Sequence, residues 1–353
     1  MKRTILLLGL VLVSALVGCD GGGLFNPADA INPYGYIFKN FTTATAPTLP
    51  TDVRSIVYDA SKLTLFIGGK GTGLFSVNPN SDPPTAINQA TATAELGARI
   101  VQCLAVDKKT GDLFIGTNLG LFRCNKTTGV TTPVAAIAAN SSVLSIAQPD
   151  NDTLWVGLFD DSADTNSIAR SVDSGANFTL FGTDDGMTAS AVVQIHADAN
   201  VTLAAGTGSA GKAGLFKFNK QMLKFAPIDN APFENGATLI NVFGTSWYAG
   251  GVNKGLHVST DSGTTWVELL SSTSSITPYQ ILNESDRYWV SSNKGLYLTY
   301  NLKDFNLFNT ASRLGKDLSR QLASASSMIW MTHTDPTVAD GTDGITRGVF
   351  AGD

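Results

Sequence analysis

A short hairpin pattern recurs along almost the whole chain. In "GDLFIGTNLGLFRCNKTTG" (111–129) the alternating run Leu113-Phe114-Ile115 breaks at Gly116 and passes through polar Thr117 and Asn118. It then restarts as Gly120-Leu121-Phe122. Alternation interrupted by Gly and Asn reads as two short strands joined by a tight turn. A lone hairpin is marginal in water, so such units have to lean on one another.

The first half of the hairpin occurs at 65–68, 113–116 and 154–157, with weaker copies at 203–206, 247–250, 288–291 and 329–332. The second half follows at 73–75, 120–122, 214–216, 255–257, 295–297 and 348–350, with 168–170 in its place in the third unit. An apolar strand precedes each hairpin, at 53–57, 101–106, 143–147, 192–195, 239–243, 278–282 and 319–322. Each unit therefore reads as strand A, strand B, a turn, strand C and a variable strand D, and there are seven units. A spacing of about 41 to 49 residues with four short strands per unit is the signature of a propeller. The fold expected is all-β: a seven-bladed β-propeller of four-stranded antiparallel blades. The last unit lacks a fourth strand of its own. The segment 34–41 has strand composition and is expected to supply it, closing the ring and hiding a sheet edge.

The first residues read as a leader. Lys2 and Arg3 form a positive region and an apolar run follows, ending in Leu16-Val17-Gly18-Cys19, which resembles a bacterial lipobox. The expected organisation is a lipoprotein signal peptide at 1–18, a lipidated tether at 19–33 and the propeller at 34–353. Cys19 is the expected lipidation site, which places the mature chain in the bacterial cell envelope, extracytoplasmic and membrane-anchored. With Lys2 and Arg3 set aside, 22 basic residues face 29 acidic ones. Nucleic-acid binding needs clustered Lys and Arg, so no nucleic-acid partner is expected. Charged residues make up 15% of the chain, which leaves it poor in helix-forming Glu and Lys and fits turn-rich β architecture.

"VQCLAVDKKTGDLFIGTNLGLFRCN" resembles the two-component-regulator propeller repeat, and "FGTDDGMTASAVVQIHAD" (181–198) resembles that family's link between blades. Residues 171–178 and 259–266 match the Asp-box, S-x-D-x-G-x-x-[WF], of sialidase-like and photosystem-assembly-factor-like propellers. The resemblance implies a scaffold more than an activity. In the Asp-box the Ser and Asp bond the backbone of the C–D turn, the Gly permits the reversal and the aromatic packs beneath. Asp173, Gly175, Phe178, Asp261, Gly263 and Trp266 are accordingly read as structural.

Binding residues are sought on the rim and in the channel. Strand parity places B–C and D–A connections on one face, and long loops on a rigid scaffold are where binding usually lives. The candidate rim comprises Asp160, Asp161, Asp164 and Asn166 in the third unit, with Asp335, Asp340 and Asp343 in the seventh. Oxygen-bearing residues alternate from 160 to 166 as in some calcium loops. The glycine at position six and the glutamate at position twelve are missing, so a solvated acidic loop is the reading. The Gly-rich stretch 206–214 lacks a Gly-Lys-Ser/Thr ending, which argues against a phosphate cradle. Ser55, Cys103, Ser145, Gln194, Asn241, Gln280 and Gln321 interrupt the apolar A strands and are the candidate channel lining. The aromatics at 66, 114, 155, 248, 289 and 330 share one register, which points to packing between blades. His196, His257 and His333 fall in different units without metal-ligand spacing, so neither a metal nor a cofactor is expected.

Sialidase-like propellers use an arginine trio, a Tyr–Glu pair and an Asp, and no such set stands out here. The expectation is a non-catalytic binding or assembly module for a protein partner or a glycan. A sialidase-like or other glycan-active enzyme is the alternative. Cys103 and Cys124 fall on strands A and C of one unit, two strand spacings apart and at opposite ends, so both thiols are expected free and buried.

Overall fold

Each repeat folds as an antiparallel meander whose strands pair in chain order. In the second unit these are Val101–Val106, Leu113–Thr117, Gly120–Cys124 and Thr131–Pro133. The computed structural model describes residues 35–353 apart from 138, 160–165, 208–213, 234–235, 285, 311–313, 315–318, 334–342 and 351–353. Among the described residues five sheets have four strands each. One sheet of eight joins the third and fourth units through the single pairing Phe159↔Ala191. The repeat carries no sign of the one α-helix among the described residues, Ala90–Leu96. Ala92 and Leu96 bury it against the interface of the first two units.

The apolar core lies between sheets. Strand alternation sends Leu65 and Ile67 toward the seventh unit's Trp330, whereas Phe66 packs with Val101, Leu113 and Ile115 of the second unit. The same division repeats around the chain, with Trp155 against Phe218 and Phe225, and Trp289 against Leu322 and Ile329. The aromatics in common register are thus interface residues.

This packing explains the glycine that ends the B-strand motif. A Cβ on Gly68 would lie 2.4 Å from Val101 of the next unit, and one on Gly116 would lie 2.6 Å from Val143. Any side chain there would push neighbouring sheets apart.

The outer strand of the last unit comes from the N-terminal side. Tyr36–Thr42 pairs antiparallel with Gly344–Phe350, from Tyr36↔Phe350 to Thr42↔Gly344. Arg347 is buried at this seam between the rings of Phe41 and Trp330, 5.2 and 5.7 Å from their centroids. Asp82, from the first unit, reaches across to Lys39 at 2.8 Å and to Arg347 at 3.4 Å. Cys103 and Cys124 are free and buried, and burial pushes the Cys103 thiol up to about 12.

Candidate functional site

The innermost A strands enclose a cavity of about 690 Å³. Its wall is shaped by a recurring irregularity. In six A strands the pairing with strand B slips by one residue, skipping Arg54, Gln102, Leu144, Val193, Thr238 and Tyr279. A bulge leaves its extra residue unpaired and re-aims the side chain. All six border the cavity, as does Arg320, which precedes Gln321 just as Arg54 precedes Ser55. The bulges sit where strand A begins and strand B ends, at the face from which the B–C loops depart.

The sequence signal for this ring lies in what varies. Around each A-strand start stand Val-Arg-Ser-Ile, Val-Gln-Cys-Leu, Val-Leu-Ser-Ile, Val-Val-Gln-Ile, Ala-Thr-Leu-Ile, Pro-Tyr-Gln-Ile and Ser-Arg-Gln-Leu. The fourth position is always Ile or Leu and the first is Val, Ala, Pro or Ser, while the third is Ser, Cys, Gln or Leu and the second ranges over Arg, Gln, Leu, Val, Thr and Tyr.

The polar residues singled out from sequence occupy the next position for the most part. Cys103, Ser145, Gln194, Gln280 and Gln321 border the cavity. They also reach to the following unit. The Gln194 side-chain oxygen accepts the Ile240 N–H at 2.6 Å, Gln280 that of Leu322 at 2.8 Å, and Gln321 that of Ile56 at 3.1 Å. The Ser145 hydroxyl donates to the Val192 carbonyl at 3.2 Å. Two residues sit elsewhere. Ser55 is fully buried, its Oγ 2.9 Å from where a Cβ on Gly68 would stand. Asn241 lies out of register: Leu239 faces Gly250 as Ser55 faces Gly68, and Asn241 instead accepts from the Gln194 amide at 3.4 Å. The bulge falls at Thr238 as in the other strands, so Asn241 stands two residues past the matching position, which apolar Leu239 occupies in place of a polar residue.

Among the described residues two arginines border the cavity. Arg54 forms a two-point ion pair with Asp52, at 2.9 and 3.1 Å. The exposed Arg320 guanidinium lies 5.0 Å from the Tyr279 ring centroid, with no carboxylate in ion-pair range among the described residues. Other arginines serve packing. Arg123 pairs with buried Asp107, Arg170 lies over Trp155, and Arg287 donates to the Tyr36 hydroxyl.

The remaining candidates are placed as follows. Asn166 and Asp343 are half-buried at the edges of the two long B–C loops. Asp160, Asp161, Asp164, Asp335 and Asp340 lie outside the described residues, as does Cys19. The two 171–178 and 259–266 turns are closed by local bonds. Ser171 and Ser259 hydroxyls accept from Gly175 and Gly263 N–H, each at 2.8 Å. Asp173 accepts from the Asn177 N–H and Asp261 from the Thr265 N–H, also at 2.8 Å. Gly175 and Gly263 take φ of 86° and 91°, open to glycine at little cost. Phe178 and Trp266 pack against the clusters beneath. His196 pairs with Asp198 at 3.3 Å, and His257 stacks edge-on to Phe233.

The sequence matches no protein-family model and no curated protein. Solved structures do resemble it. The extracellular domain of a protein described as a hybrid two-component system, BT3049 of B. thetaiotaomicron, superposes with TM-score 0.68 at 15% identity, over 88% of this chain and 41% of that one. PorZ, a surface component of the type-IX secretion system of Porphyromonas gingivalis, gives 0.60 at 15% identity, over 84% and 46%. Virginiamycin B lyase from Staphylococcus aureus, in a catalytically inactive form with quinupristin, gives 0.63 at 12% identity, over 89% and 99%. The chain spans less than half the length of the first two. At these identities the likeness speaks for the fold, and the fold is an all-β propeller.

Proposed function

We propose that this chain is a seven-bladed propeller acting as a non-catalytic binding module on the outer side of a bacterial membrane, held there by acylated Cys19. Its ligand, a protein or a glycan, docks at the channel mouth, flanked by the long B–C loops of the third and seventh units. The observation that carries this reading is the bulge repeated in six innermost strands. It delivers one variable side chain per strand to the same cavity, beside a second position that is polar in most strands.

Extracellular and surface proteins among the structural neighbours fit an envelope location. Against an enzyme stands the scatter of arginines: of those described, Arg54 and Arg320 border the cavity, and no glutamate does.

A glycan array and capture from solubilised envelope, run with the full chain and with a Tyr279→Ala/Arg320→Met variant, test the site. Ligands lost by the variant support it; equal binding by both proteins places recognition elsewhere. Hydrolysis of a captured glycan, abolished by a mouth substitution, would restore the enzymatic alternative.

A further inference from the structure

We infer that the mouth takes an acidic saccharide, its carboxylate held by Arg320; this rests on the channel mouth being the binding site.

The charge pattern singles out Arg320. The chain as a whole is acidic, with a net charge of −5. Of the two described arginines on the cavity, Arg54 is already neutralised by Asp52 through both of its facing nitrogens. Arg320 has its backbone fixed on both sides: its N–H donates to the Thr332 carbonyl, and its carbonyl accepts from the Ser291 hydroxyl. Its guanidinium lies over Tyr279, and among the described residues no carboxylate is in ion-pair range of its fork edge. Arginine matches a carboxylate with two parallel bonds, a geometry that it also offers phosphate but that neutral hydroxyls do not use.

The rest of the wall is suited to hydroxyls. Gln194, Gln280 and Gln321 are clamped to neighbouring strands, and each bond uses one part of the amide. Gln280 spends one lone pair on the Leu322 N–H and one N–H on the Leu322 carbonyl. Gln321 does the same with Ile56 and Gln102. An amide has two lone pairs and two N–H bonds, so each retains one acceptor and one donor. Fixed donor–acceptor pairs suit adjacent sugar hydroxyls and cost little ordering on binding. A cavity of about 690 Å³ holds a short oligosaccharide rather than a folded protein surface.

The test uses the full chain carrying Cys19→Ser and a panel of uronate-containing oligosaccharides, each paired with its carboxyl-reduced form, measured by titration calorimetry. At least one uronate should bind about tenfold or more tightly than its reduced partner, as expected for a charge-assisted pair. Arg320→Met, which keeps the stem over Tyr279, should abolish that preference while binding of the reduced form persists. Equal affinity for both forms, or an acid preference that survives Arg320→Met, overturns the inference. In those cases loss of binding in Tyr279→Ala still upholds the mouth as the site. Binding of none of the panel, or of acidic peptides in its place, also overturns it.

Discussion

The side-chain oxygen of Gln321 accepts the backbone N–H of Ile56 at 3.1 Å, across 265 residues of sequence. Strand A is the inner edge of its sheet in every unit but the fourth, where Ala191 also pairs with Phe159 of the third unit, so most of one side of its backbone has no strand partner. Gln321 meets that edge at the seam, and Gln194 and Gln280 meet it between other units. The channel wall is therefore both a surface for ligand and a set of links between neighbouring sheets.

Replacing Gln321 with Ala should lower stability by about 1–2 kcal/mol, the net worth of two lost hydrogen bonds. Denaturant unfolding measures the loss, and hydrogen exchange should show faster exchange at the Ile56 amide. An unchanged midpoint with unchanged exchange would leave the seam to the outer strand alone.

Gly116→Ala should cost about 1–3 kcal/mol by overpacking, because the new methyl meets Val143 and the Cys103 sulfur. Gly244 has nothing within 4 Å of its Cβ position but a φ of 62°, so Gly244→Ala tests backbone conformation without crowding. A melting temperature lowered more by Gly116→Ala than by Gly244→Ala identifies close approach of sheets as the larger constraint.

Asp173 and Asp261 are both held down to about 2. Backbone and side-chain bonds from Asn177 do this for the first, and the Thr265 hydroxyl and N–H for the second. A folded pKa below the unfolded value near 3.8 gives stabilisation that is complete above that value and fades as pH falls toward 2. The stability gap between the parent protein and Asp261→Asn should therefore be widest above pH 4 and shrink toward pH 2. A gap that stays constant across this range in pH-resolved thermal melts would show that the carboxylate charge contributes nothing.

Much of this was legible in the chain itself. The B-strand motif with its glycine, the common register of the aromatics and the strand character of 34–41 each reflect a packing demand that repeats, so composition carries it. The helix Ala90–Leu96 was hidden because it occurs in one connection and has only two buried residues to mark it. The channel lining was legible in part: of the seven polar residues inside the apolar strands, Cys103, Ser145, Gln194, Gln280 and Gln321 border the cavity, and Ser55 and Asn241 do not. What the polarity did not mark is the residue beside each of them, where the bulge turns Arg54, Tyr279 and their equivalents to the channel as well. Bulges depend on pairing between strands, and no periodicity within a strand reports them.

Native Cys103 and Cys124 should resist thiol reagents, since both are buried and burial pushes the Cys103 thiol up to about 12. In the unreduced, denatured Cys19→Ser chain, titration should count two thiols. A count of zero would mean that a disulfide joins them and that strands A and C of the second unit are wrongly placed.

The claim that the bulged ring selects the ligand is tested most directly by comparing envelope capture on the full chain with capture on the Tyr279→Ala/Arg320→Met variant, at matched thermal stability. The account predicts that both proteins melt alike and that the variant loses the components held by the parent. Two proteins that melt alike and capture the same components in the same amounts would contradict it.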